Sequence, residues 1–107
     1  MNVGDYIYLY LFDLEKTLSS MEKLRTDRFG KILKIDRLED VTRHEFVQVY
    51  TIKLLENNKI IQYRSDNLTS NIASIASLIE IIGRANVDAE RRQSLLEQMN
   101  NILSQYQ

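Results

Sequence analysis

The sequence predicts an α+β fold: a small β unit with a helical insertion, followed by an antiparallel helical hairpin. Two observations carry this reading. Up to Ser65 apolar residues recur largely at every second position, as in Tyr6-Ile7-Tyr8-Leu9-Tyr10-Leu11 and Phe46-Val47-Gln48-Val49-Tyr50-Thr51-Ile52. Beyond it they recur every third or fourth, ending in Leu95, Leu96, Met99, Ile102, Leu103 and Tyr106. Alternation suits a half-buried strand, and a 3.6-residue period suits an amphipathic helix. The expected organisation is one domain over residues 1–107, with the β unit at 3–66, a helix at about 13–25 within it, and the helical hairpin at 67–107.

Taken in order, Gly4-Asp5 is a turn signal, and the next six residues read as a strand with Ile7, Leu9 and Leu11 on one face and Tyr6, Tyr8 and Tyr10 on the other. From Asp13 the spacing of Leu14, Leu18, Met21 and Leu24 or Arg25 fits a short helix, which Phe29-Gly30 ends. Lys31 to Ile35 reads as a second strand, Leu38 to His44 as a polar loop, and Phe46 to Leu55 as the central strand, rich in β-branched and aromatic residues. Glu56-Asn57-Asn58-Lys59 predicts a tight hairpin into Ile60–Arg64, because asparagine tolerates positive φ and Glu56 and Lys59 are opposite charges. Ser65, Asp66, Asn67, Thr69 and Ser70 offer N-caps for a helix to about Ile82, which Gly83 is placed to end in a left-handed conformation. Asp88 caps a last helix to about Tyr106, and the short Gly83–Val87 connection makes the two helices antiparallel neighbours.

An all-α bundle is the alternative. Ile7, Leu11, Leu14, Leu18, Met21, Ile32 and Ile35 also fit a heptad-like spacing, Thr42-x-x-Glu45 has capping-box form, and the chain has no proline to interrupt a helix. Against it stand Arg25, Arg28 and Gly30 in the seam and the β-rich stretch from Val47 to Ile52.

Composition narrows the function classes. Hydrophobic residues make up 44% and charged residues 27%, the balance of a globular protein. A formal net charge of -1 supplies no global field for nucleic acid or anionic membrane. Without cysteine there is no disulfide, thiolate nucleophile or thiolate metal site, a composition compatible with the cytoplasm, which is the expected location. The N-terminus lacks the basic start of a signal peptide, and the apolar run from Ile72 to Ile82 is too short to span a bilayer, so no membrane association is expected.

Residues 3–68 resemble small SH3-like β-barrels at the level of the fold. Val3 to Tyr8 is similar to their first strand and Gly30 to Ile35 to the second. Tyr50–Leu54 and Lys59–Arg64, joined by a tight turn, are similar to the third and fourth, with Ser65-Asp66-Asn67-Leu68 as the short polar exit. The segment from Asp13 to Arg28 is a helical insertion relative to that pattern, and the turn lacks glycine. The resemblance points to no specific family. It implies binding of peptides, nucleic acids or partner proteins rather than chemistry.

Three groups of residues are candidate sites. The stripe Leu95, Leu96, Met99, Ile102, Leu103 and Tyr106 suits a protein-binding or oligomer surface, with full burial inside the chain as the alternative. Tyr6, Tyr8 and Tyr10 suit an aromatic ligand face, or else packing beneath a helix. Arg25, Arg28, Lys31, Lys34 and Arg37 suit phosphate contacts, or else an ordinary solvated face. The single histidine, His44, has no ligand or nucleophile at telling spacing, and the three glycines form no phosphate loop. No catalytic residue, metal or cofactor is implied. The expectation is a non-enzymatic interaction protein: a small regulator, adaptor or inhibitor, including one from a phage or mobile element. It would bind a protein target and could form a homodimer through its C-terminal helices. The alternative is a nucleic-acid-binding module that uses the tyrosine face and the basic segment.

Overall fold

A computed structural model describes residues 1–11, 13–20, 23–64 and 70–106, and the side chains of all of these except 70 and 71. The chain runs β1 (Tyr6–Leu11), α1 (Leu14–Ser20), a single 3₁₀ turn (Thr26–Arg28), β2 (Phe29–Asp40), β3 (Glu45–Leu54), β4 (Ile60–Arg64), β5 (Ser70–Ser74), α2 (Ile75–Arg84) and α3 (Ala89–Tyr106). The strands form one antiparallel sheet in the order β4-β3-β2-β1-β5. The sheet is open, with β4 and β5 at its ends. The fold is therefore α+β, and the all-α alternative is excluded. Residues 45–54 pair with β2 and β4 instead of opening a helix at Thr42. The backbone N–H groups of Thr42 and Arg43 donate to the Asp40 carboxylate, which fixes a turn where a capping box was conceivable.

Strand β1 carries the architecture. Ile7 and Leu9 enter a core with Ile32, Tyr50, Ile52 and Tyr63 on one face of the sheet. Tyr8, pointing the opposite way, enters a second core with Phe29 and with the helices: Leu14 and Leu18 of α1, Leu78 and Ile82 of α2, and Leu95, Met99, Ile102 and Leu103 of α3. Each fully buried Leu or Ile contributes about 1.5–3 kcal/mol of burial free energy, so both faces of the strand are strongly committed.

The helix starts follow side-chain capping. Asp13 Oδ1 accepts from the N–H groups of Glu15 and Lys16, Ser74 Oγ from Ser77, and Asp88 Oδ1 from Arg91 at 2.7 Å. The β3–β4 turn uses Asn58 at φ 58°, as its sequence predicts. Glu56, however, accepts a hydrogen bond from Thr26 at 3.0 Å and does not form the expected pair with Lys59.

Four boundaries differ from expectation. The helix expected at about 13–25 is shorter: α1 spans Leu14–Ser20, and residues 23–25, which lead into the 3₁₀ turn, are not helical. Strand β2 continues through Asp40, so much of the expected polar loop belongs to a long β2–β3 hairpin whose turn spans residues 41–44. Residues 70–74 form a strand rather than the start of a helix, because β1 has a second edge and Leu11 to Ile7 pair with Ser70 to Ser74. Gly83 lies inside α2 without positive φ, and the helix ends one residue later at Arg84. The caps expected at Ser65, Asp66, Asn67 and Thr69, the polar exit 65–68 and Met21 lie outside the described residues.

Two glycines have opposite roles. A methyl group at Gly30 would lie 2.6 Å from Ile52 Cγ2 and 3.1 Å from the Lys53 carbonyl oxygen, whereas one at Gly83 would meet nothing within 4 Å. Gly30→Ala is expected to lower stability by about 1–3 kcal/mol through overpacking. Gly83→Ala is expected to raise it by about 0.5–1 kcal/mol by removing glycine from a helix interior. Urea denaturation of the two variants beside the parent checks both signs.

Candidate functional site

The apolar stripe of α3 is used within the chain. Leu95, Met99, Ile102 and Leu103 are buried, and Leu96 and Tyr106 pack half-buried against the same cluster. These six residues therefore do not present an open face. The 3.6-residue period marks which side of a helix is apolar, and here that side is turned into the core shared with α2, Tyr8 and Phe29.

The tyrosines are likewise part of the fold. Tyr8 is 3% exposed, its ring meets Phe29 edge-on at 4.8 Å, and its hydroxyl accepts the backbone N–H of Arg25 at 3.3 Å. Tyr6 and Tyr10 are half-buried against the helical core. No open three-ring platform exists. Burial raises the Tyr8 phenol above its ordinary pKa, opposed by the Arg25 amide and the Arg25 and Arg28 charges. Burial and the Asp13 carboxylate raise Tyr10 in the same direction.

The basic segment does not converge on one surface. Arg25 forms a two-pronged pair with Asp27, Lys31 stands over the Tyr6 ring, and Lys34 is 3.4 Å from Asp36. Arg37 stacks on Phe46 with its guanidinium carbon 4.3 Å from the ring centre. Lys34 and Arg37, three residues apart in one strand, fall on opposite faces of the sheet. Arg28 is half-buried, and its side chain has no ion pair or hydrogen bond among the described residues. His44 sits exposed in the β2–β3 turn at φ 54°. Asp5 bonds the Asn2 amide and Asp13 caps α1, so these carboxylates do not gather around the histidine.

The candidate site is the tip of the β2–β3 hairpin, which sequence reasoning treated as a polar loop. Among the described residues, β2 pairs only with β3 from Arg37 to Asp40, and β3 only with β2 from Glu45 to Gln48, a two-stranded ribbon. It exposes Leu38 (51%), Val41 (74%) and Phe46 (60%). The register places Leu38 opposite Val47 and Glu39 opposite Phe46, so Leu38 and Phe46 are on opposite faces with Val41 in the turn between them. Asp40 braces the tip: besides the two turn amides, its carboxylate lies 4.0 Å from Arg43 and 3.7 Å from Arg64. The signal available in the sequence was three large apolar residues in an otherwise charged stretch. Charges of both signs surround them, Arg37, Glu39, Asp40, Arg43 and Glu45.

Among the described residues no group of three or more His, Asp or Glu side chains is placed to hold a metal ion, and no helix is long and apolar enough to cross a membrane. Comparison with protein-family models, with characterised proteins and with solved structures returns no significant match.

The raised Tyr8 pKa has a thermodynamic consequence. Above pH 10 the unfolded phenol loses its proton while the buried one retains it, so stability present below that pH declines as pH rises toward the folded pKa. Tyr8→Phe should be less stable than the parent at neutral pH yet lose less stability between pH 9 and pH 11 (about one unit either side of the free phenol). Urea midpoints across that interval measure the difference.

Proposed function

We propose that this chain is a non-enzymatic protein-binding module that seats the tip of its β2–β3 ribbon in a groove of a protein target. The exposure of Leu38, Val41 and Phe46 on an ordered, projecting ribbon carries the reading. Apolar side chains on both faces and at the turn are buried together only by a partner with two walls. The surrounding charges are of both signs, which matches the polar rim of a protein interface and opposes a polyanion. A regulator, adaptor or inhibitor acting in the cytoplasm fits this mode of binding.

The resemblance to small SH3-like barrels supports the same class of function. Four consecutive strands follow one another as neighbours in the sheet, with a tight turn before the fourth. Self-association through α3 is not favoured, since its apolar stripe already lies in the core. Nucleic-acid binding has less support, because the cations of residues 25–37 are divided between faces and mostly paired.

The test compares affinity capture from nuclease-treated lysate by the parent chain and by a Leu38→Asp, Phe46→Asp double variant. Both positions are exposed, so the variant should keep its fold, checked by circular dichroism. The parent should retain a stoichiometric protein whose affinity for the variant is weaker by at least about thirtyfold, the loss of one strong anchor. Equal capture by the two chains, or recovery that disappears with nuclease, would sink the proposal.

A further inference from the structure

A second feature is independent of the ribbon. Between the C-terminal half of β1, α1 and the 3₁₀ turn lies a cavity of about 200 Å³ whose lining includes Tyr8, Tyr10, Leu11, Leu14, Arg25 and Arg28. Two members of the tyrosine face and two of the basic segment, dispersed everywhere else, come together here.

The polar groups in this cavity are incompletely satisfied. Tyr8 is a buried residue, and its hydroxyl accepts one hydrogen bond, from the Arg25 backbone N–H. Its own O–H has no acceptor among the described residues. A buried donor left without a partner costs about 1–3 kcal/mol, so the site is built for an acceptor. Arg28 acts electrostatically on the same hydroxyl, and its side chain has no partner of its own among the described residues. Arg25 contributes little free charge, because its guanidinium is held by both oxygens of Asp27 at 3.1 and 2.8 Å. Arg28 and Tyr8 therefore line a space whose other walls are Leu9, Tyr10, Leu11, Leu14 and Thr17, with Arg25 at its side.

We propose that this cavity binds a small organic carboxylate, with its oxygens on the Tyr8 O–H and the Arg28 guanidinium and its apolar part among Tyr10, Leu11 and Leu14. The planar fork of a guanidinium matches a carboxylate in a two-pronged geometry. A single negative charge balances Arg28. A phosphate dianion would bring a second charge next to Asp27 and an apolar wall. The volume admits a molecule of benzoate size.

Sodium benzoate is the probe, with inorganic phosphate and benzyl alcohol as controls, followed by amide-resolved NMR titration of the full chain. Benzoate should bind saturably with a Kd of about 1 mM and shift the amides of Tyr8, Arg25 and Arg28. Benzyl alcohol, which lacks the charge, and phosphate, which lacks the apolar part, should bind more weakly. Arg28→Gln should weaken benzoate at least about tenfold, and Tyr8→Phe several-fold. Arg28 is only half-buried, so its replacement should leave the fold intact even if the Tyr8 variant is destabilised. The proposal is overturned by absent benzoate binding, by equal binding of benzyl alcohol, by tighter binding of phosphate, or by an Arg28→Gln variant that binds benzoate as the parent does.

Discussion

The constraint on which the structure depends is that β1 is buried on both faces at its centre and is paired on both edges at Ile7 and Tyr8. Ile7 and Leu9 supply one core and Tyr8 the other, so the strand is the wall between them. Because both faces are apolar, water cannot satisfy its edges, and backbone hydrogen bonding demands a strand on each side. β2 supplies one and β5 the other. The pairing of Ile7 with Gly30 completes the arrangement, since the missing side chain at Gly30 lets Ile52 approach. The three helices then cover the Tyr8 face, because that is where β1 and Phe29 leave apolar surface.

This dependence explains what was legible in the sequence. Short-range signals read correctly: alternation gave β1, β3 and β4, Asp13 and Asp88 marked helix starts, and an asparagine with positive φ turned the second hairpin. The segment 70–74 was misread because its conformation is decided by a strand about sixty residues earlier. Ile72 and Ala73 run without a break into Ile75 and Ala76, so locally the whole stretch fits a helix. Only the open edge of β1 makes its first half a strand. The far end of β2 was missed for the opposite reason: there the ladder with β3, and not burial, holds the backbone, so the sequence reads as polar.

The candidate sites follow the same division. Periodicity identified Leu95, Met99, Ile102 and Leu103 as one apolar face but carries no information on whether that face meets its own chain or another. The tyrosine ladder was read with the right alternation, yet the covering of Tyr8 by helical residues depends on contacts between distant segments. Conversely, Leu38, Val41 and Phe46 form no periodic pattern, and only the projection of the ribbon brings them together as a surface.

An isolated two-stranded ribbon is marginal in water, so the order of this one needs a cause. Its ladder is a continuation of strands anchored in the sheet, and Val47 and Val49 are buried along it. Asp40 closes the turn and lies near arginines of both the turn and β4, while the Arg37 guanidinium rests on the Phe46 ring. Each of these contacts is modest by itself, and exposed ion pairs contribute little. Together they restrict the backbone and one aromatic rotamer before any partner arrives. Ordering interface side chains costs roughly 0.5–1.5 kcal/mol each on association, so a tip already held in shape keeps more of its apolar burial as net affinity. Among the described residues β2 has no strand on its second edge beyond Ile32, and this stretch carries Lys34, Asp36, Arg37, Glu39 and Asp40, a density of charge that discourages unselective strand addition. Apolar anchors at the tip and charges along the edge thus favour a fitted groove over indiscriminate edge pairing.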